Sequence, residues 1–389
     1  MSVCRHFVLA AGGTGGHMVP AHALAAELIA RGHRVALVTD ERGRRIPGLF
    51  EGVPVHVMPA GRVAVGPLGW LRAVGGIRTG RAMAKSLYRA FEPTAVVGFG
   101  GYPALPALLA GLSLRVATVV HEQNAVLGRV NRLLAGRVNA IATAYPNVER
   151  LKSTYRAKVH LVGNPVREVV RAIGEAPYPD AGPDGSIELL VTGGSQGATV
   201  LSTVVPDGLG LLSEPVRRRL VVTQQCRPED IEQVRARYAD LGIRASLATY
   251  LEELPAILAR AHLVIARAGA STIAELTVAG RPAILVPLPS AMDDHQTANA
   301  REVVAQGGGW SCPQAQFTPA WLAAKLGGLL EDPEALVTAA ACAKAAGLPN
   351  AARALADLIE SFGRPPVMDG IGVKTKTAKV QTGLAGAGA

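Results

Sequence analysis

The sequence predicts an α/β protein of two doubly wound, Rossmann-like domains facing each other across a cleft. Three observations lead there. Short apolar runs of the kind buried on both faces of a parallel sheet recur along the chain. Two of them, at 6–11 and 187–191, run straight into glycine clusters, Gly12-Gly-Thr-Gly-Gly-His17 and Thr192-Gly-Gly-Ser-Gln-Gly197, and then into helical patterns. Strand, glycine turn, helix and strand in that order make the right-handed crossover of a parallel sheet. The length of 389 residues, 49% of them apolar, is enough for two cores of ordinary size.

The first domain is expected over 1–164, with strands at 6–11, 33–39, 54–58, 95–98, 116–121, 138–142 and 159–162. Its first helix is expected over 20–30, closed by Gly32. Residues 93–114 carry no charge and are long enough to cross a bilayer. Three prolines and four glycines break that span into a strand, a loop and a buried helix, so it reads as core. Asn164-Pro165 reads as a hinge. The second domain, 165–348, repeats the architecture with strands at 187–191, 219–224, 244–248, 262–266 and 283–287. Residues 313–361 read as alanine-rich helices, of which the one expected over 349–365 packs back on the first domain. The small and basic residues 366–389 are expected to form a disordered tail.

Charge is unevenly placed. Residues 1–165 hold 20 Lys and Arg against 7 Asp and Glu, a net of +13, which leaves −3 for the remainder. A basic half implies an acidic partner. Aromatic residues make up only 4% of the chain, too few for the stacking platforms of a nucleic-acid binder, so no nucleic acid is expected. Segment 62–89 has six basic residues (Arg62, Arg72, Arg78, Arg81, Lys85, Arg89), no acidic one, and Val63, Val65, Leu68, Trp70, Leu71, Val74 and Ile77 between them. It is either a solvated helix face over core residues or a rim of charge around an apolar patch resting on an anionic membrane surface. Cys4, Cys226, Cys312 and Cys342 lack metal or redox spacing and fit a reducing cytoplasm. The apolar run 7–11 is too short for a signal peptide.

Several motifs carry chemistry. Glycines at 12–16 let a phosphate approach the main chain, and the spacing departs from G-x-G-x-x-G because Met18 takes the third position. Asp40, ending the second strand, could serve a dinucleotide ribose, which keeps an NAD-dependent oxidoreductase as the rival reading. His17 suits a general base that takes a hydroxyl proton near neutral pH. His121-Glu-Gln-Asn124 places four polar side chains at a strand's carboxyl end, either facing a substrate or with Asn124 capping a helix. Ser195 can offer a hydroxyl and an N–H to a diphosphate, with Arg167 supplying charge. Strand 263–266, Gly269 and the helix that follows put free N–H groups at a strand's carboxyl end, where α/β sheets bind anions. Ser271 or Thr272 is expected to cap that helix. Thr272-x-x-Glu275 reads by spacing as a capping box, with a ribose ligand as the alternative for Glu275. In Asp293-Asp-His-Gln-Thr-Ala-Asn299 the metal-ligand spacing is missing, and Gln296 and Asn299 suit sugar hydroxyls, so no metal is expected.

Taken in order, Gly12–His17, Gly100-Gly-Tyr102, His121–Asn124, Gly163-Asn-Pro-Val-Arg167, Gly193–Gly197, the Ala270–Glu275 helix start and Asp294-His-Gln296 resemble the MurG family, bacterial N-acetylglucosaminyltransferases that make lipid II. The likeness covers about residues 5–360. It implies a glycosyltransferase B-type fold. It also implies transfer of N-acetylglucosamine from UDP-GlcNAc to the 4-hydroxyl of the muramyl sugar of lipid I, with inversion and with no cofactor or nucleotide-binding metal. By resemblance, Thr14, Gly15, Gly16, Asn124, Arg167, Ser195, Ala270, Ser271, Thr272, Ile273, Ala274, Glu275 and Gln296 line the sugar-nucleotide site. Leu251 reads the uracil through its backbone, Glu275 holds the ribose and His17 is the base. The enzyme would rest peripherally on the cytoplasmic face of the cell membrane. Ala104 stands where many relatives carry serine, so no hydroxyl role is assigned there. A UDP-GlcNAc 2-epimerase-like enzyme is the nearer rival, and a non-enzymic membrane-binding protein the more distant one.

Overall fold

The computed structural model describes residues 4–46, 48, 50–59, 67–180, 185–194 and 197–362, with the backbone alone described for 67–71 and 333. The first lobe runs β1 (His6–Ala10), α1 (Gly15–Ala30), β2 (Arg34–Thr39), α2 (Glu41–Arg44), β3 (Val55–Val57), α3 (Pro67–Phe91), β4 (Ala95–Gly98), α4 (Ala104–Leu114), β5 (Ala117–Glu122), α5 (Arg129–Leu134), β6 (Ala140–Thr143) and β7 (Val159–Leu161). Its strands pair in parallel in the order β3-β2-β1-β4-β5-β6-β7. Strand alternation builds a core on each face: Phe7 and Leu9 of β1 pack to one side, and Val8 and Ala10 to the other. The uncharged span 93–114 is β4, a loop and α4, and among the described residues no helix is long and apolar enough to cross a membrane.

The second lobe runs α6 (Glu168–Glu175), β8 (Ile187–Thr192), α7 (Thr199–Gly210), α8 (Glu214–Arg219), β9 (Leu220–Gln225), α9 (Ile231–Asp240), β10 (Arg244–Ala248), α10 (Leu254–Arg260), β11 (Leu263–Ala266), α11 (Ala270–Ala279), β12 (Ala283–Leu285), α12 (His295–Ala305), β13 (Gly309–Ser311), α13 (Pro319–Glu331), α14 (Pro333–Ala346) and α15 (Ala351–Glu360). Its parallel sheet is ordered β10-β9-β8-β11-β12-β13. The last helix returns to the first lobe. Leu355, Ala356 and Ile359 of α15 join Phe7, Leu24 and Leu28 in one core, and Arg31 pairs with Asp357 at 2.6 Å and Glu360 at 3.2 Å.

Two elements differ from the sequence expectation. Strand β13 was not expected, because a glycine run hides it. A Cβ at Gly309 would lie 2.4 Å from the Ala283 carbonyl, so the edge pairing with β12 requires glycine there. Helix α1 begins at Gly15 rather than near residue 20, and Pro20 lies inside it. Pro20 is the sixth residue of the helix, past the first turn where proline is readily tolerated, and lacking an N–H it leaves the Gly16 carbonyl without its helical partner. That carbonyl faces the other lobe, 3.5 Å from the Ser271 hydroxyl.

Candidate active site

The carboxyl ends of both sheets open on one cleft, and the glycines that line it divide into two kinds. A Cβ at Gly13 would collide with Asp40 Oδ1 at 2.2 Å, and one at Gly12 would meet Gly101 Cα at 3.1 Å, so these two permit close packing. Beside Gly15 and Gly16 a Cβ would meet nothing within 4 Å, so open space adjoins the first turn of α1. Thr14, the N-cap of α1, accepts no hydrogen bond from the helix N–H groups through its side chain and is exposed, leaving the amides at the helix start for an anion.

Helix α11 presents its own start from the opposite lobe. Its N-cap is Gly269, not Ser271 or Thr272, and no side chain caps it. The capping box at Thr272 and Glu275 therefore does not form: both residues already sit inside the helix. Glu275 is paired instead with Arg167, whose Nε and Nη2 donate to Oε1 at 3.1 and 2.9 Å. Burial raises the Glu275 carboxyl above its ordinary range, and the Arg167 guanidinium opposes that shift. Ala270, Ser271, Thr272 and Ala274 are partly exposed, whereas Ile273 is buried in the core and can contribute only backbone to a ligand. Gln296 accepts from the Leu288 N–H at 2.9 Å, which fixes its amide and leaves Nε2 to donate. Leu251 lies half-buried in the loop after β10. Ser195 lies outside the described residues.

On the first lobe, a cavity of about 270 Å³ adjoins His17, Tyr102, Gln123, Asn124 and Arg129. The His17 ring is wedged against Gly100 and Gly101, both at positive φ (93° and 77°); a Cβ at Gly100 would press on the ring at 3.0 Å, and one at Gly101 would strike Gly12 Cα at 2.9 Å. Burial lowers its pKa, partly offset by hydrogen bonding to Gln123 and to the Phe99 carbonyl, so the ring is neutral at neutral pH. The expectation that His121-Glu-Gln-Asn124 faces substrate fails for His121, while Glu122 and Gln123 border the cavity with little exposed surface. His121 is fully buried, and Glu122 and Gln123 are each 2% exposed. Glu122 accepts from the Gly128 N–H at 2.7 Å and Asn131 Nδ2 at 2.9 Å, and so braces the loop above β5. Asn124 caps no helix: its Oδ1 accepts from Asn299 Nδ2 at 3.1 Å across the cleft. Asn299 also accepts from the Ala125 N–H at 2.8 Å, so it ties the lobes together and is not free for sugar hydroxyls.

Sequence reasoning also missed a clasp. Asp293, in a left-handed conformation (φ 58°), meets Arg132 at 2.6 Å, Arg150 at 2.7 Å and Arg129 at 3.8 Å. Nothing in the local sequence signals it, since all three arginines lie in the other lobe. No group of metal-ligating side chains occurs among the described residues. Asp40, the rival dinucleotide ligand, caps α2 by accepting from the Gly43 N–H at 3.0 Å and pairs with Arg42.

Comparison with known proteins decides the family. Residues 7–143 match the glycosyltransferase family 28 N-terminal domain and 188–355 the glycosyltransferase family 28 C-terminal domain. A relative from Novosphingobium aromaticivorans, named UDP-N-acetylglucosamine--N-acetylmuramyl-(pentapeptide) pyrophosphoryl-undecaprenol N-acetylglucosamine transferase, is 60% identical, with 95% of each chain covered. One of the same name from Zymomonas mobilis is 58% identical over 93% of this chain and 94% of its own. The chain belongs to the MurG transferases of glycosyltransferase family 28. The crystal structure of Acinetobacter baumannii MurG superposes with a TM-score of 0.73 at 29% identity, covering 92% of this chain and 99% of that one. A UDP-GlcNAc 2-epimerase from Neisseria meningitidis has a TM-score of 0.64 at 15% identity, which shows a shared fold alone. For this MurG-family chain the two-lobed B-type glycosyltransferase fold therefore stands.

Proposed function

We propose that this glycosyltransferase moves N-acetylglucosamine from UDP-GlcNAc to the 4-hydroxyl of the MurNAc unit of undecaprenyl-pyrophosphoryl-MurNAc-pentapeptide, giving the lipid II precursor of peptidoglycan. One observation carries the geometric case. The uncapped start of α11, the open start of α1 and the neutral His17 ring converge on one cleft. The named relatives supply the identity of the two sugars.

In this reading residues 1–164 hold the acceptor and 165–348 hold the sugar nucleotide. The acceptor oxygen forms a bond to the anomeric carbon from the face opposite the diphosphate. The bond from that carbon to the β-phosphate oxygen breaks, UDP departs with the electron pair, and the configuration inverts. His17 takes the hydroxyl proton as the oxygen attacks. The charge growing on the departing diphosphate meets the amides of two helix starts, Arg167 and, by resemblance, the Ser195 loop. Glu275 turns from Arg167 to the ribose hydroxyls, and Gln296 donates to the sugar. Thr14, Gly15, Gly16, Asn124, Leu251 and Ala270–Ala274 complete the pocket. Support for peripheral membrane attachment comes from α3, where Arg72, Arg78, Arg81 and Arg89 are exposed, while Ala73, Ala84 and Tyr88 are buried beneath them. Arg62, Val63 and Val65 lie outside the described residues.

The deciding experiment supplies labelled UDP-GlcNAc and a lipid I analogue and looks for a GlcNAc–MurNAc product. Label found only as free or epimerised sugar, with the acceptor unchanged, would overturn the proposal in favour of the epimerase-like reading.

A further inference from the structure

Two polar side chains link the His17 ring to the junction between the lobes. His121 Nε2 lies 2.8 Å from the Gly163 carbonyl oxygen. Gln123 Nε2 lies 2.9 Å from His121 Nδ1 and 3.1 Å from the His121 carbonyl oxygen. Gln123 Oε1 lies 3.3 Å from His17 Nδ1. His121 and Gln123 are buried, so no water competes freely for these positions.

The chain of bonds admits one arrangement of protons when both histidines are neutral. A backbone carbonyl only accepts, so His121 Nε2 carries a proton and donates it to Gly163. The lone pair of His121 is then at Nδ1, and it must receive a donor. The amide end of Gln123 that touches the His121 carbonyl must likewise be the NH₂, because the reverse orientation would set two oxygens 3.1 Å apart. That NH₂ serves both His121 atoms. The Gln123 oxygen is thereby turned toward His17 Nδ1, where it accepts, so Nδ1 carries a proton; the Phe99 carbonyl is a second acceptor beside the ring, and because the ring is neutral only one of its nitrogens is protonated, which leaves the lone pair on Nε2.

We propose that Gln123 and His121 are positioning residues that hold His17 in the single tautomer able to act as a base, with Nε2 bare. The inference rests on the reading of His17 as the base. The chain conducts no proton: an amide cannot pass one on, and the proton taken from the acceptor hydroxyl stays on Nε2 until product leaves. His121 suits the part because burial lowers its pKa to about 4, so it keeps one donor and one acceptor across the working pH range. Its anchor, Gly163, lies just past β7, where φ is 91° and a Cβ would strike Leu348 at 2.7 Å. The anchoring carbonyl is thus held by a backbone turn that only glycine fits.

Two readouts test this on the full chain. With ¹⁵N-histidine labelling, long-range NMR correlations report which ring nitrogen of His17 is protonated, the resonance being assigned by its absence in His17→Ala. At pH 8 the wild type should show Nδ1–H and a bare Nε2, and Gln123→Leu should gain the Nε2–H form. In turnover assays Gln123→Leu should lose about tenfold to hundredfold in kcat, a part of what a general base supplies. Its KM for UDP-GlcNAc should stay within about threefold, since positioning the base leaves sugar-nucleotide binding alone. Gln123→Glu keeps an acceptor toward His17. It should recover part of kcat and move the acidic limb of the kcat profile to higher pH, because a carboxylate beside the ring favours its protonated form. The other ionisable neighbours of His17 are His295 and Arg42, with His121 behind Gln123, and they are unchanged in both variants. A wild-type His17 protonated on Nε2 overturns the proposal, and that spectrum decides even if Gln123→Leu fails to fold. So does a Gln123→Leu enzyme with wild-type tautomer and kcat. A His17→Ala enzyme of full activity would instead remove the base assignment and leave the tautomer result standing, so the two failures are distinguishable.

Discussion

The two lobes share one strand order around a central β1 or β8, yet they equip their cleft edges differently. The first lobe, with a net charge of +13 over 1–165, puts a neutral chain at the carboxyl ends of its strands, a half-buried His17 backed by the buried Gln123 and His121. The second lobe, with a net charge of −5 over 166–348, puts an ion pair there, Arg167 with Glu275, beside an uncapped helix start. Buried neutral groups keep a fixed proton arrangement but bind anions poorly. Ion pairs and helix amides bind anions and can exchange partners when a ligand arrives. The division suggests that proton transfer belongs to one lobe and recognition of the nucleotide to the other, and variants on each side can break that contrast.

The largest effect is expected on the first lobe. His17→Ala should cost kcat a factor of about 10² to 10⁴, the usual range for a lost general base, with UDP binding by calorimetry unchanged. If UDP affinity falls with kcat, the division of labour between the lobes fails. Next comes the second lobe. Glu275→Ala should raise the KM for UDP-GlcNAc by about tenfold to hundredfold, the equivalent of one hydrogen bond to a charged group. Its kcat at saturation should change little. A kcat defect at unchanged KM would place Glu275 in the chemistry and blur the contrast.

The sequence made the sheets, the crossovers and both glycine turns legible, because parallel strands and glycine clusters announce themselves locally. It misread what holds the site together. The start of α1 is expected too late because Pro20 reads as a helix opener, although it stands six residues into the helix and leaves the Gly16 carbonyl without its helical donor. The capping box at Thr272 and Glu275 matched by spacing and was displaced by Arg167, which lies 108 residues from Glu275. His121 and Gln123 read as ligand groups because a polar run at a strand end is costly to bury unpaired, and the partner that satisfies His121 is the carbonyl of Gly163, beyond local view. The last two misses have the same physical root: long-range pairing decides the fate of a polar side chain, and spacing along the chain does not encode it.

The clasp between the lobes yields a pH test of smaller size. The arginines facing Asp293, Arg150 foremost, hold its carboxyl below the ordinary value. A depressed carboxylate contributes its full stability above the unfolded pKa, about 3.9, and loses it as pH falls through the folded value. Wild type should therefore melt above Asp293→Asn near neutrality, and the gap should close as pH drops below about 4. A gap that is constant from pH 7 to 3 would mean that the left-handed backbone at 293, rather than the charge, is what the substitution changes.

The smallest effect concerns the outer face of the basic lobe. Arg81 is exposed on α3, and the described polar face of that helix carries Arg72, Arg78, Arg81 and Arg89 without an acidic residue between them. Near an anionic leaflet each such residue contributes about 1 kcal/mol, so Arg81→Ser should weaken partitioning to vesicles containing anionic lipid by about fivefold. On neutral vesicles the same substitution should do almost nothing, and raising the salt should erase the difference between the two proteins, because the attraction acts within a Debye length. Turnover of a short-chain, water-soluble acceptor should be untouched, since α3 lies outside the cleft. An equal loss on neutral vesicles would transfer the role from charge to the apolar residues of the segment. No loss on either would leave the positive charge of the first lobe to act on the acceptor's diphosphate alone.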